Sequence, residues 1–324
     1  MNGSARRNLL CRAAHAPIMR SLAVRRAFAR RVRALERELP AALDDNVEAL
    51  HRSRVASRRL REILPVLGLD GAERGMPAAE TLGKRVRRVT RALGSVRELD
   101  VALGILDEVE RAYPELAEVV AAARPAVEED RRARREEMAR GVDEIEAQSL
   151  SVELSSLDEH VGQEPAATRA ALLRRRLGRR LDRLDAAIEA AGALYAFDRL
   201  HMVRIAVKKL RYVLELIHEF GRAATRRPVA RLKQFQDLLW RQHELVVVAG
   251  YVRRLSCSGK GRFASDVERV LGVLERETRE LHAQYLGRVG LLVDVIAQCR
   301  GDIDRRLAGV QPSRRQRAGS SHGR

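Results

Sequence analysis

The chain has 324 residues, of which 45% are hydrophobic and only 3% aromatic, and its formal net charge is +18. A chain of this length can bury a substantial core, and a core with so few aromatic residues must consist of Leu, Val, Ala and Ile, as in packed helices. The basic charge favours a polyanionic partner such as nucleic acid, an anionic membrane or a phosphate polymer. Only five of the 62 cations are Lys, so part of the excess also fits the Arg-rich codon usage of a GC-rich genome.

The cysteines and the hydropathy argue against several classes of protein. Cys11, Cys257 and Cys299 are widely spaced and odd in number, which disfavours a zinc site or a disulfide framework and fits a reducing cytoplasm. No apolar run approaches the roughly 20 residues of a transmembrane helix, so no membrane partner is expected. The basic N-terminus lacks the apolar core of a secretory signal.

The first part of the chain is predicted to be a series of helices. Residues 1–17 are expected to be a flexible basic extension. Pro40 is expected to stop the first helix, Asp44 or Asp45 to cap the second, and Ser95 to start a new helix after one that ends at 93. The predicted helices cover 18–39, about 45–67, 78–93, 95–113 and 114–147, with a loop at 68–77.

The Arg-poor segment 148–165 is the predicted boundary between two halves, at about 18–150 and 163–308. After it the same plan restarts, and residues 309–324 are expected to form a disordered basic tail. No alternating strand pattern is present, so the predicted fold class is all-α. The helices of the second half are predicted at 166–192, 197–220, 226–240, 243–255, 263–286 and 289–308.

Two predicted helices share one detailed template. Residues 50–64 read LHRSRVASRRLREIL and residues 200–214 read LHMVRIAVKKLRYVL. At about 100° per residue, each places one histidine and three cations on a single stripe within an arc of about 80°, with the apolar residues on the opposite side. The His51 stripe consists of His51, Arg54, Arg58 and Arg61, and the His201 stripe consists of His201, Arg204, Lys208 and Arg211.

These stripes indicate a binding surface for a multivalent anion. Neighbouring cations on a helix repel one another, and no acid interrupts either stripe between the histidine and the last arginine. The planar guanidinium fork suits phosphate, and a stripe about 15 Å long can contact several successive phosphates. A solvated basic face is the alternative for one such helix, but two matching helices make it the poorer explanation. Each histidine is expected to be neutral beside these cations and to assist by hydrogen bonding.

The repeat continues into the next helices. Residues 85–100 align with 231–246, which places Arg87 opposite Lys233 and Arg97 opposite His243. Glu98 falls opposite Glu244 in the same alignment. Each half therefore has a second helix whose cations can face its histidine helix, and the two halves predict a molecule with pseudo-twofold symmetry.

The motifs LHRSRVASRRLREIL with TRALGSVRELDV, and LHMVRIAVKKLRYVLEL with LKQFQDLL, resemble the CHAD family, the conserved histidine α-helical domain. The resemblance covers about residues 18–308. It implies two pseudo-twofold-related helical bundles flanking a basic central groove or pore. It also implies inorganic polyphosphate as the ligand, without a cofactor, and a cytoplasmic location on polyphosphate granules among granule-associated proteins. The implied binding residues are His51, Arg54, Arg58, Arg59, Arg61, Arg87, Arg97, His201, Arg204, Lys208, Lys209, Arg211 and Lys233.

The second half departs from the family pattern. Where such sequences often continue with Gly and then Asn-Asp, this chain has Trp240, His243 and Glu244. Trp240 stands opposite Gly94, and its ring is expected to fill or reshape a turn between two helices. Some members are fused to a triphosphate-hydrolase barrel with an ExExK motif, which is not found here.

These residues leave three possible functions to compare. Polyphosphate binding without catalysis is the leading one, because no Gly-rich phosphate loop, metal-ligand cluster or nucleophile–base pair is evident. Duplex nucleic acid, bound through its phosphates, is the alternative, whereas the low aromatic content disfavours single strands. A phosphate-transferring enzyme would need a metal site, for which the stripes supply no carboxylate.

Overall fold

In a computed structural model, the chain folds into α-helices, as predicted. The structure describes residues 21–67, 79–161, 163–220, 225–257 and 263–307, and this part of the chain contains no β-strand. The predicted extension at 1–17, the loop at 68–77 and the tail at 309–324 lie outside the described residues. The helices are α1 (Ser21–Leu43), α2 (Val47–Ile63), α3 (Ala79–Ala112), α4 (Ala117–Asp143), α5 (Ala147–Ser156), α6 (Ala166–Ala191), α7 (Phe197–Glu219), α8 (Arg226–Cys257), α9 (Ala264–Arg288) and α10 (Gly290–Leu307).

The turn between α1 and α2 differs from the prediction. Pro40 lies inside α1, which continues to Leu43, and the cap of α2 is Asn46, whose side-chain oxygen accepts a hydrogen bond from the Ala49 amide at 2.8 Å. Asp45 instead occupies the left-handed turn, with φ 67°, a conformation that short polar side chains tolerate. The apolar side of α1 is buried up to Ala42, so packing offsets the hydrogen bond that a proline removes from a helix.

The third and eighth helices are longer than predicted. Neither a break at residue 93 nor one between 240 and 243 is present, and α3 and α8 each run without interruption. Gly94 is helical, with open space where a Cβ would stand. Because buried residues follow α3 from Leu82 to Val109, packing along the whole helix outweighs the cost of about 1 kcal/mol for a mid-helix glycine.

The segment 148–165, predicted as the boundary between halves, is itself largely helical. It includes most of α5, which follows a left-handed residue, Glu146, at φ 51°. Leu150, Leu154 and Leu157 are buried. This part of the chain therefore packs on the first helices and contributes to the core.

The helices repeat one order of packing. In the first part α1 packs on α2, α2 on α3 and α3 on α4, and in the second part α6 packs on α7, α7 on α8 and α8 on α9. The two sets meet where α3 crosses α8 and where α2 approaches α7. Equivalent elements contact each other at a twofold axis, so these two contacts identify the pseudo-twofold axis of the predicted fold class.

Two apolar cores hold the helices together, and each core takes residues from both halves. The larger core contains Leu60 and Leu67 on one side of the axis, and Leu210 and Leu214 on the other. The smaller core lies at the far ends of α3 and α8, together with the beginnings of α4 and α9. Burying a large aliphatic side chain contributes about 1.5–3 kcal/mol, so neither half is expected to be stable alone.

Ion pairs also join the halves. On one side of the axis, Arg31 of α1 makes a bidentate pair with Glu219 of α7, both contacts at 2.9 Å. On the other side, Arg176 and Arg180 of α6 contact Glu62 of α2, at 2.6 and 3.2 Å. These pairs are largely shielded from water. Removing one partner of a shielded pair is costly, because it leaves the other charge buried and unpaired. Within the described residues, no helix is long and apolar enough to span a membrane.

Candidate polyanion-binding site

The two histidine helices bring their stripes to one side of each helix, as predicted. The apolar residues on the opposite side of α2 and α7 are buried, including Leu60 and Ile63 of α2 and Leu210 and Leu214 of α7. Because α2 and α7 also approach each other at the pseudo-twofold axis, cations of both stripes enter one electrostatic cluster.

Four cations form the centre of this cluster, two from each helix. Burial, followed by the charges of Arg58, Arg204 and Arg54 in that order, lowers the pKa of Lys208 to about 7. Arg54 has an exposed fraction of only 8%, and burial together with Arg58 lowers its pKa to about 9. The Nε atoms of Arg54 and Arg204 are buried without a hydrogen-bond partner. The cluster is therefore short of negative charge and of acceptors.

Two carboxylates lie beside the central cations. Glu244 of α8 is 2% exposed, and burial followed by repulsion from Glu98 of α3 raises its pKa to about 7, although Arg204 and Arg54 oppose the rise. One oxygen of Glu244 has no hydrogen-bond partner. Sequence reasoning aligned the two glutamates but did not place them together. The two glutamates occupy matched positions of the repeat, on helices that cross at the axis. This match was the signal that could have predicted their proximity.

The histidines of the two stripes, His51 and His201, occupy different surroundings. The Nδ1 atoms of His201 and His243 are 3.3 Å apart, and the ring of Phe197 stacks on His243 with centroids 5.4 Å apart. Burial, followed by the charge of Arg204, lowers the pKa of His201. The same two causes lower the pKa of His243 to about 3. His51 is more exposed than His201, and partial burial followed by the charge of Arg97 lowers its pKa as well. The neutral form that the sequence predicted is thus the favoured form.

A second group of cations continues the cluster toward α6. Burial lowers the pKa of Arg61 and of Lys209, and Arg180 of α6 lowers both further. Arg87 also acts on Arg61, and Arg183 on Lys209. Sequence reasoning did not select the α6 arginines, because their run in the sequence looks like any other Arg-rich helix of this chain.

Other predicted site residues lie outside the centre. Arg59 is 3.7 Å from Glu215, and Arg211 also pairs with Glu215 and donates to Gln236 at 2.9 Å. Glu215 follows Arg211 by one helical turn, so the end of the His201 stripe is neutralised although the stripe itself contains no acid. Lys233 of α8 is exposed.

Trp240 does not have the predicted position in a turn. It lies on the continuous helix α8 with 38% of its surface exposed, so its ring reshapes no connection between helices. In the part of the chain that the structure describes, no group of three or more His, Cys, Asp or Glu side chains is arranged to hold a metal ion.

Comparison with known proteins decides the family. The model of the CHAD domain matches residues 26–253. The chain belongs to the CHAD domain family. The matched region contains both stripes and both glutamates of the axis.

Two solved structures share the CHAD fold of this chain. The CHAD domain from the plant Ricinus communis is 23% identical, with a TM-score of 0.59, and the match covers 86% of this chain and 91% of the plant chain. PptA from Streptomyces chartreusis is 17% identical, with a TM-score of 0.53, and the match covers 87% of this chain and 99% of PptA. No curated protein matches the chain.

Proposed function

We propose that the protein binds inorganic polyphosphate through the two stripes and does not act on it. The observation that carries this proposal is the shared cluster of Arg54, Arg58, Arg204 and Lys208. Besides burial, the charge of Arg58 on α2 lowers the pKa of both Lys208 and Arg204 on α7. The resemblance to the CHAD family implies the same ligand.

An anionic polymer satisfies what the cluster lacks. Burial and mutual repulsion destabilise the free cations, and a chain of phosphates supplies both the negative charge and the acceptor oxygens. Glu98 and Glu244 neutralise only part of the cluster, because burial and repulsion from Glu98 raise the pKa of Glu244 to about 7 and so favour its neutral form. A hydrogen bond to a charged group contributes about 1.5–3 kcal/mol. Several such bonds along a flexible polyanion give an affinity that falls steeply with salt, as counterion release requires.

Binding at polyphosphate granules in the cytoplasm follows from this ligand. Granule-associated proteins are the further partners that the family resemblance implies. Duplex nucleic acid remains the alternative ligand, because it offers a similar density of phosphates. Binding without turnover is proposed because the stripes consist of Arg, Lys and His and supply no nucleophile with an adjacent base.

The test is a titration with long-chain polyphosphate and, in competition, with duplex DNA at physiological salt. Arg54→Glu/Arg58→Glu reverses two central charges and is expected to weaken polyphosphate binding well over tenfold. The matched control is Arg132→Glu/Arg140→Glu, which makes the same charge change on exposed positions of α4. A second control changes Arg314 and Arg315 to Glu, in the tail outside the described residues.

A further variant separates binding from folding. Arg58→Gln/Lys208→Gln removes repulsion between the helices, so its thermal stability is expected to equal or exceed that of the wild type while its affinity falls. Equal losses of affinity in the central and control variants would show that net charge alone binds the polymer. Preference for duplex DNA in the competition would select the alternative function.

A further inference from the structure

An aromatic cluster borders the His201 end of the site. Phe197 is the first residue of α7 and Tyr195 stands two residues before it, and the ring of Tyr195 meets the ring of His282 edge-on, with centroids 5.3 Å apart. Tyr195 is 45% exposed, although the chain as a whole has only 3% aromatic residues. An exposed tyrosine ring close to a half-buried phenylalanine ring offers a surface for stacking a flat ring.

A cavity of about 560 Å³ lies against this cluster, between α7, α8 and α9. Its volume falls within the roughly 300–1,000 Å³ that small-molecule sites occupy. The walls are mostly apolar, and the charged side chains on its lining are Arg253, Glu275 and Arg279. Glu275 contacts Arg279 at 2.8 Å and Arg253 at 3.9 Å. Exposed pairs of this kind are weak, so a ligand can replace them.

Stacked rings separate the cavity from the polyanion site by a short distance. Phe197 lines the cavity and stacks on His243, and His243 in turn lies 3.3 Å from His201. Arg204 Nη2 is 3.5 Å from the same nitrogen of His201. A ligand with a flat ring at one end and a phosphate chain at the other can therefore occupy the cavity and the stripe together.

The first half lacks these aromatic residues. By the internal repeat, Phe197 stands four residues before His201, and the residue four before His51 is Val47. Asp45 stands in the place of Tyr195, and Arg97 in the place of His243. The aromatic cavity is thus a feature of one end of the pseudo-symmetric site and is not required by the repeated fold.

We propose that this cavity binds the base of a nucleoside polyphosphate, with the phosphates directed toward His201 and Arg204. The base would stack on Tyr195 and Phe197, Glu275 would accept hydrogen bonds from its amino group or from the ribose, and the two rim arginines would balance that acid. The phosphate part of this inference depends on the proposed function, whereas the base part depends on the cavity alone.

The experiment compares ATP with inorganic tripolyphosphate, which has the same number of phosphates and no base. Stacking on aromatic side chains is expected to make ATP bind roughly five- to a hundredfold more tightly. Tyr195→Leu should remove this difference, and Tyr195→Phe, which keeps the ring, should retain it. Long-chain polyphosphate is expected to bind all three proteins equally, because Tyr195 lies outside both stripes.

Each other outcome overturns the inference in a recognisable way. Equal affinity of the wild type for ATP and tripolyphosphate, with long-chain polyphosphate still bound, would refute the base site and leave the proposed function standing. Failure to bind any of the three ligands would refute both. A Tyr195→Leu variant that loses ATP and tripolyphosphate equally would show a structural role. If Tyr195→Leu abolishes self-association of the protein, and the wild type shows no preference for ATP over tripolyphosphate, the cavity binds a second copy of the chain instead of a base.

Discussion

Lys208 is expected to take up a proton when polyphosphate binds. Its amine is surrounded by Arg54 and Arg58 of α2 and by Arg204 and Lys209 of α7, and burial followed by these charges lowers its pKa to about 7. A bound phosphate chain neutralises the repulsion and favours the charged ammonium. The complex therefore binds more protons than the free protein, and affinity must fall as the pH rises.

The size of the effect follows from the pKa. At pH 8 a group with a pKa of about 7 is protonated in roughly one molecule in eleven, so binding includes a protonation cost of about 1.4 kcal/mol, or about tenfold in affinity. At pH 6 the same group is already about nine-tenths protonated and the cost nearly vanishes. His51 and His201 contribute little near pH 8, because their pKa values are lowered from the usual 6.5 and both are neutral there.

Calorimetry in two buffers of different ionisation enthalpy at pH 8 measures the proton uptake directly. We expect about 0.9 proton per complex from Lys208 in the wild type, and nearly none in Lys208→Arg, since arginine stays charged. The control Lys84→Arg changes an exposed lysine of α3 and should behave as the wild type. Equal uptake by the wild type and Lys208→Arg, or none in the wild type, would refute the assignment of a neutral Lys208 to the free protein.

Two further predictions concern the fold. Glu62→Gln leaves Arg176 and Arg180 without their shared carboxylate, in surroundings where Glu62 is only 6% exposed. We expect Glu62→Gln to lower the unfolding free energy by about 3–5 kcal/mol, as measured by urea denaturation. The control Glu80→Gln, at an exposed position, should lower it by no more than a few tenths of a kcal/mol. Gly94→Ala should raise the unfolding free energy by about 0.5–1 kcal/mol, because open space surrounds the position of the new Cβ. A destabilised Gly94→Ala protein would mean that the helix needs the freedom of a glycine there.

The sequence was sufficient for the local features of the molecule. The spacing of Ala56, Leu60 and Ile63 along the helix defines the face of α2 that is buried, and the same periodicity places His51 and its arginines on the other face. The repeat of this pattern around His201 predicted a second such helix, and the structure has it. These features depend on residues within a few turns of one another, so the helical period alone reveals them.

The limits of helices were harder to predict. Pro40 and Ser95 have the chemistry of a helix stop and a helix start, yet both lie inside helices. The preference of a single residue contributes about 1–3 kcal/mol at most. Apolar contacts made along the whole length of α1 and α3 contribute more, and those contacts are with residues far away in the sequence.

The meeting of the two stripes was decided by tertiary structure alone. Arg58 and Lys208 are 150 residues apart in the numbering, and the charge of Arg58 lowers the pKa of Lys208 only because α2 approaches α7. The burial of Glu244 beside Glu98 likewise arises where α3 crosses α8. Sequence periodicity states which face of a helix carries charge, but burial and the distance between charges set the pKa values. Both quantities exist only after the helices have packed around the axis.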